Sequence, residues 1–197
     1  AIITKENKEK IEKPKYKDYE DYIKETYAKI DDKIIRGNVI SNEDYSIAIS
    51  QNGEGVSKYK DIYINRFKVT DDYPQGIFFD IKNIKSKTIW NATYKNTNEN
   101  QYKITFAPDK IEQEMTVQNI KTKVQTIITQ EAPVEIKKLT LKNLGNTEEI
   151  LEVTSYFEPV LSKKEQDYAH PVFNNLFLVY DFDEKTNSLI VKRKNRI

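Results

Sequence analysis

From Val39 onward the side chains alternate between apolar and polar with a period of two. That spacing puts successive residues on opposite faces of a strand, one face toward a core and the other toward water. The first clear run is Tyr45–Gln51, with Tyr45, Ile47 and Ile49 on one face. Asn52-Gly53 follows as a hairpin turn, because glycine accepts the positive φ such turns require. Alternation resumes over Lys58–Lys68. Further strands are expected at Gly76–Ile81, Thr88–Thr93, Tyr102–Ala107, Ile111–Gln118, Thr122–Gln130, Val134–Lys142, Ile150–Phe157, Leu176–Phe182 and Ser188–Lys192. Turn-forming residues separate them, among them Asp71-Asp72 with Pro74, Pro108-Asp109, Ala132-Pro133 and Gly145-Asn146. Short strands at this pace predict an all-β, antiparallel β-sandwich or barrel, and the absence of a βαβ rhythm disfavours a nucleotide-binding α/β fold. Leu161–Asn175 reads as a loop.

The first part of the chain has another period. Tyr16, Tyr19, Tyr22, Ile23, Tyr27 and Ile30 recur every three or four residues, and Gly37 follows Arg36. The spacing predicts one amphipathic helix over about residues 15–35, ending before a glycine stop. The expected organisation is therefore a helical linker at 1–36 and a β-sandwich domain at 37–197.

Composition narrows the function classes. Thirty-two basic residues against 31 acidic ones leave a net charge of +1, which removes the bulk electrostatic attraction to nucleic acid or an anionic membrane. With no cysteine there is no disulfide framework and no thiol chemistry, which fits a reducing, cytoplasmic compartment. The first residues lack the apolar core of a signal peptide, and no apolar run reaches the ~18 residues of a membrane span. A start at Ala1 and an end just after a strand, at Ile197, suggest a piece of a longer chain.

The candidate motifs carry little chemistry. Gly53-Glu54-Gly55 with Ser57 resembles a phosphate cradle, but a strand pattern follows it where a helix would be needed, so a hairpin is expected. His170, the single histidine, has Asp167 nearby and no marked nucleophile. The pairs Asp31-Asp32, Asp71-Asp72 and Glu148-Glu149 lack calcium-loop spacing. A glycosidase needs two carboxylates about 5–10 Å apart. Asp61, Asp80, Glu114, Glu135, Glu152, Glu158 and Asp181 are available, but no spacing selects a pair. Trp90 and Tyr94, four residues apart, would share one side of a strand; Trp90 is either a platform for sugar C–H groups or a core residue. No catalytic residue, metal site or cofactor is expected.

Four segments carry a resemblance. In SNEDYSIAISQNGEGVSKYKDIYINRF at 41–67, the matching positions are Asn42, Tyr45, Ser46, Gly53, Gly55, Ser57, Tyr59, Asp61 and Arg66. The others are GIFFDIKNIKSKTIWNATY at 76–94, VEIKKLTLKNLGNTEEILEVTSYFEPVL at 134–161 and AHPVFNNLFL at 169–178. Together they resemble the amino-terminal sandwich of glycoside hydrolase family 94, the glycoside phosphorylases formerly grouped as glycosyltransferase family 36. The last segment is similar to the branch found in cyclic β-1,2-glucan synthases. The resemblance implies a galactose-mutarotase-like supersandwich, truncated here, that precedes an (α/α)6 barrel holding the catalytic acid and the phosphate site. The implied role is a non-catalytic, carbohydrate-associated module of a bacterial enzyme. Its implied partners are the missing catalytic domain, glycan and a second copy in a homodimer. Trp90, Tyr94, His170 and Phe173 become carbohydrate-contact candidates. Two other readings stay open: a stand-alone carbohydrate-active enzyme such as a sugar epimerase, and a purely structural dimerisation domain.

Overall fold

The computed structural model describes residues 24–28, 34–67, 74–94 and 102–194. They form an antiparallel β-protein with two short helices. One five-stranded sheet has the order β1-β8-β9-β10-β11, with β1 at Glu25–Tyr27, β8 at Lys103–Phe106, β9 at Ile111–Val117, β10 at Ile120–Ile128 and β11 at Glu135–Asn143. A second has the order β13-β5-β4-β3-β2, with β2 at Gly37–Ser41, β3 at Tyr45–Ser50, β4 at Gly55–Tyr59, β5 at Ile62–Asn65 and β13 at Pro159–Ser162. Beside it lies a three-stranded sheet ordered β12-β6-β7, built from β6 at Phe78–Asn83, β7 at Ile89–Asn91 and β12 at Leu151–Tyr156. A hairpin of β14 at Leu178–Asp183 and β15 at Ser188–Arg193 forms a separate two-stranded sheet. The helices are α1 at Lys164–Ala169 and α2 at Pro171–Asn175.

The two-residue alternation is what closes the sandwich. Tyr45, Ile47 and Ile49 of β3 meet Ile104 and Phe106 of β8, Ile111, Met115 and Val117 of β9 and Ile120 and Val124 of β10 in one core. Ile81 of β6 and Trp90 of β7 complete it from the three-stranded sheet. The alternation runs the full length of β3 and β9 and along β10 as far as Ile127, so each turns one face to the interior and the other outward. Among the described residues no helix is long and apolar enough to cross a membrane.

The structure corrects three sequence expectations. The helix over about 15–35 fails at Glu25–Tyr27, which is a strand paired antiparallel with β8; residues 15–23 and 29–33 lie outside the described residues. Tyr27 packs against the core and against the ring of Phe106, and this β partner overrides its helical spacing. The single run over Lys58–Lys68 is two strands, β4 and β5, because Lys60 turns with φ 52°. The loop over Leu161–Asn175 contains the end of β13 and both helices.

Candidate functional site

The β3–β4 hairpin shows what the glycine motif does. Gly53 has φ 93°, and a Cβ there would sit 1.8 Å from the Thr93 carbonyl oxygen. A Cβ on Gly55 would sit 2.6 Å from the Ala48 carbonyl. The turn is pressed onto backbone, and only glycine fits. It is followed by a strand, as the hairpin reading requires, and cradles no phosphate-type helix start.

Other motif side chains bind the sandwich's own layers together. Asn42 accepts hydrogen bonds from the Asp44 and Tyr45 amides and donates to the carbonyls of Thr129 and Ala132, at the far hairpin. The Tyr45 hydroxyl donates to Glu135 at 3.0 Å and the Ser57 hydroxyl to the same oxygen at 2.6 Å. The other Glu135 oxygen lies 2.9 Å from Lys137 Nζ, which in turn donates to Thr126. Burial, then the Glu135 charge, pushes the Tyr45 phenol far above its ordinary range. Two hydroxyls, a carboxylate and an ammonium thus meet between the sheets, the hydroxyls bonded to one Glu135 oxygen and the ammonium ion-paired with the other.

Arg66, just past β5, organises the second polar centre. Its Nε and Nη2 grip the two oxygens of Asp167 at 3.1 and 3.0 Å. Its Nη1 donates to Glu158 at 2.7 Å, and Nη2 reaches Asn175 Oδ1 at 3.0 Å. This is the planar fork geometry that suits arginine and not lysine. Burial opposes the Arg66 charge, but the hydrogen bonds and charges of Asp167 and Glu158 outweigh it and hold its pKa above the ordinary value. Asn174 donates to the Val160 carbonyl and to Asp167, and accepts from Arg193 Nη1 at 2.5 Å. Through these contacts α1, α2 and β15 are tied to the β13 edge.

The sequence candidates fall in separate places. Trp90 is 3% exposed and belongs to the core, so it offers no face to a sugar. Its strand ends at Asn91, so the strand spacing that would pair it with Tyr94 does not apply. Tyr94 instead makes an edge contact with Phe78, ring centroids 6.1 Å apart. His170 is exposed at the junction of α1 and α2, where its carbonyl accepts from the Asn174 amide at 2.9 Å. Phe173 is half exposed and meets Phe177 edge-on. His170 and Phe173 line one open cleft with Arg193 and Lys194, whereas Tyr94 and Trp90 lie elsewhere. Arg66–Asp167 escaped sequence reasoning because 101 positions separate the partners; the only signals were the motif position of Arg66 and the proximity of Asp167 to His170.

The outer sheet faces are similarly committed. Glu112 and Glu114 of β9 lie among Lys103, Lys110, Lys121 and Lys123. Partial burial raises both carboxyls, but hydrogen bonds from Gln125 and Lys123 to Glu112, from Lys121 to Glu114, and the lysine charges leave both below the ordinary range. Of the other acids considered, Asp61 pairs with Lys163, and Asp80 accepts from Asn91.

Comparison with known proteins agrees with this architecture. The model of the glycosyl hydrolase 94 supersandwich domain matches residues 20–197. The chain is also similar to the cyclic beta-(1,2)-glucan synthase NdvB of Rhizobium meliloti (strain 1021), 28% identical over 163 residues, or 80% of this chain. It spans only 6% of the length of that relative. With an antiparallel sandwich in which Asn42, Gly53, Gly55, Ser57 and Arg66 each have a physical task, the chain belongs to the glycosyl hydrolase 94 supersandwich-domain family.

Proposed function

We propose that this domain is the non-catalytic, shape-holding module of a larger cytoplasmic glycoside phosphorylase or cyclic β-glucan synthase-like enzyme. It supports a catalytic (α/α)6 barrel in the same polypeptide, can pair with a second copy, and touches β-glucan weakly. Tyr94, His170 and Phe173 remain contact candidates, while Trp90 serves the core. One observation carries the reading: the motif side chains spend their polar atoms on one another. Asn42, Tyr45 and Ser57 join the sheets, and Arg66 holds Glu158 and Asp167. A general acid must instead carry a proton toward substrate, whereas Glu158 and Asp167 each accept hydrogen bonds from the Arg66 guanidinium.

The test is turnover and binding by the 197-residue chain. Incubated with β-1,2-glucan and inorganic phosphate, it is expected to release no glucose 1-phosphate. Its amide resonances should respond to glucan only at millimolar concentration, since an open surface buries little of a hydrated sugar. Sustained phosphorolysis or transfer by this chain alone would overturn the proposal.

A further inference from the structure

The outward face of the β12–β6–β7 sheet carries a groove that none of the interior networks fills. On β6, Ile81 points to the core and Phe79 packs against it, so Phe78 and Asp80 point outward. Register then brings their neighbours to the same face: Tyr156 of β12 lies opposite Phe78, and Asn91 of β7 opposite Asp80. Glu158 and Arg66 close one end. The groove encloses ≈ 400 Å³, within the range of small-molecule sites, about 300–1,000 Å³.

Its chemistry is mixed in a particular way. Phe78, 3% exposed, forms an apolar floor, and Tyr156, 49% exposed, supplies a ring open to solvent. Around them stand planar polar groups already fixed by one another. Asn91 donates to Asp80 at 2.9 Å, the Tyr156 hydroxyl donates to Glu158 at 3.1 Å, and Arg66 holds the other Glu158 oxygen at 2.7 Å. Groups held in this way lose little further freedom when a ligand arrives. Each carboxylate has more lone pairs than these bonds use, so both can still accept from hydroxyls. Two carboxylates against one guanidinium disfavour an anionic ligand, and the polar rim disfavours a purely apolar one. What remains is a neutral molecule with one C–H face and several adjacent hydroxyls.

We propose that this groove is a saccharide subsite for one pyranose unit of a glucan, with the sugar's C–H face on Tyr156 and its hydroxyls on Asp80, Asn91 and Glu158. The inference rests on the proposed contact with glucan, and moves its centre from the His170–Phe173 turn to the sheet face. Trp90 lies on the opposite side of the same sheet, where it anchors the floor from within.

A titration followed by amide chemical shifts tests it, using the 197-residue chain and a linear β-1,2-linked glucose trimer. The wild type, Tyr156→Ala, Asp80→Asn and, as a control on the exposed β15 hairpin, Leu189→Ala are compared. Expected shifts cluster at residues 78–80, 89–91 and 154–158 and saturate in the millimolar range. Tyr156→Ala should weaken binding about five- to tenfold, the scale of one aromatic contact; Asp80→Asn should also weaken it, and Leu189→Ala should leave it unchanged. Since mapping on the wild type needs no variant to fold, the proposal stays testable throughout. Shifts confined to residues 163–177, with Tyr156→Ala binding as wild type, would overturn the groove while leaving glucan contact intact. A wild-type spectrum unmoved by the trimer would overturn both.

Discussion

The interior between β3, β9 and β10 and the segment from α1 to β15 are held together by different physics. In the first, alternating Ile, Met and Val side chains are buried. In the second, Tyr168, Val172, Leu176, Tyr180, Phe182 and Leu189 stay more than half exposed, and one arginine fork with its amide neighbours sets the arrangement. Burial is non-directional and scales with area, so the sandwich tolerates change if volume is kept. A fork depends on a few exact angles and has no substitute. Stability is therefore expected to be a property of the sandwich, and geometry at the helical turn a property of Arg66.

The sharpest way to break this contrast is to empty the core. Trp90→Ala should lower unfolding free energy by about 3–5 kcal/mol in a urea titration, against a change of about 0.5 kcal/mol or less for the half-exposed Phe173→Ala. Equal losses at both positions would mean that the two regions do not differ as described. Next in size is Arg66→Ala, which leaves Asp167 enclosed without its partner and should cost about 2–3 kcal/mol. Its first sign should be proteolytic cleavage within 163–175 while the sandwich's near-ultraviolet signal persists. Arg66→Lys should rescue this only in part, because it restores charge and not the fork.

The smallest expected effect is electrostatic. Glu112 and Glu114 are held below their ordinary value of 4.5 in the folded state. Their contribution is thus complete above that pH and is lost as pH falls through the folded values. Thermal scans should show a shallow acid decline that Glu114→Gln flattens. Tyr45 and Tyr102 run the other way, since both phenols are raised above 10.0 by burial first of all. Their contribution is complete below pH 10 and fades above it as the unfolded chain ionises first.

Alternation made the sandwich legible in advance. Ile111–Gln118 and Thr122–Gln130 are expected as strands, and Ile111–Val117 and Ile120–Ile128 form them, because both alternate buried with part-buried positions along nearly all their length. The break at Lys60-Asp61 was hidden, since lysine seldom adopts the positive φ that it takes here. β13 was hidden too: it has four residues, begins with proline and bends at Leu161, whose φ is 48°. Glu25–Tyr27 misled in the opposite sense, for a tyrosine spacing of three and four also suits a helix until a strand partner is known. The candidate site was less readable still. Whether Trp90 faced in or out depended on which side of β7 the core lay, and Arg66 has no local feature that names Asp167.

The distance along the chain between Arg66 and Asp167 also has a consequence in time. A contact spanning 101 positions closes a long loop, and such closures follow the local hairpins that shorten them. The β3–β4 and β9–β10 hairpins should fold early and meet as layers. The arginine fork then locks the helical turn at the end, as a latch that checks whether everything before it has assembled correctly.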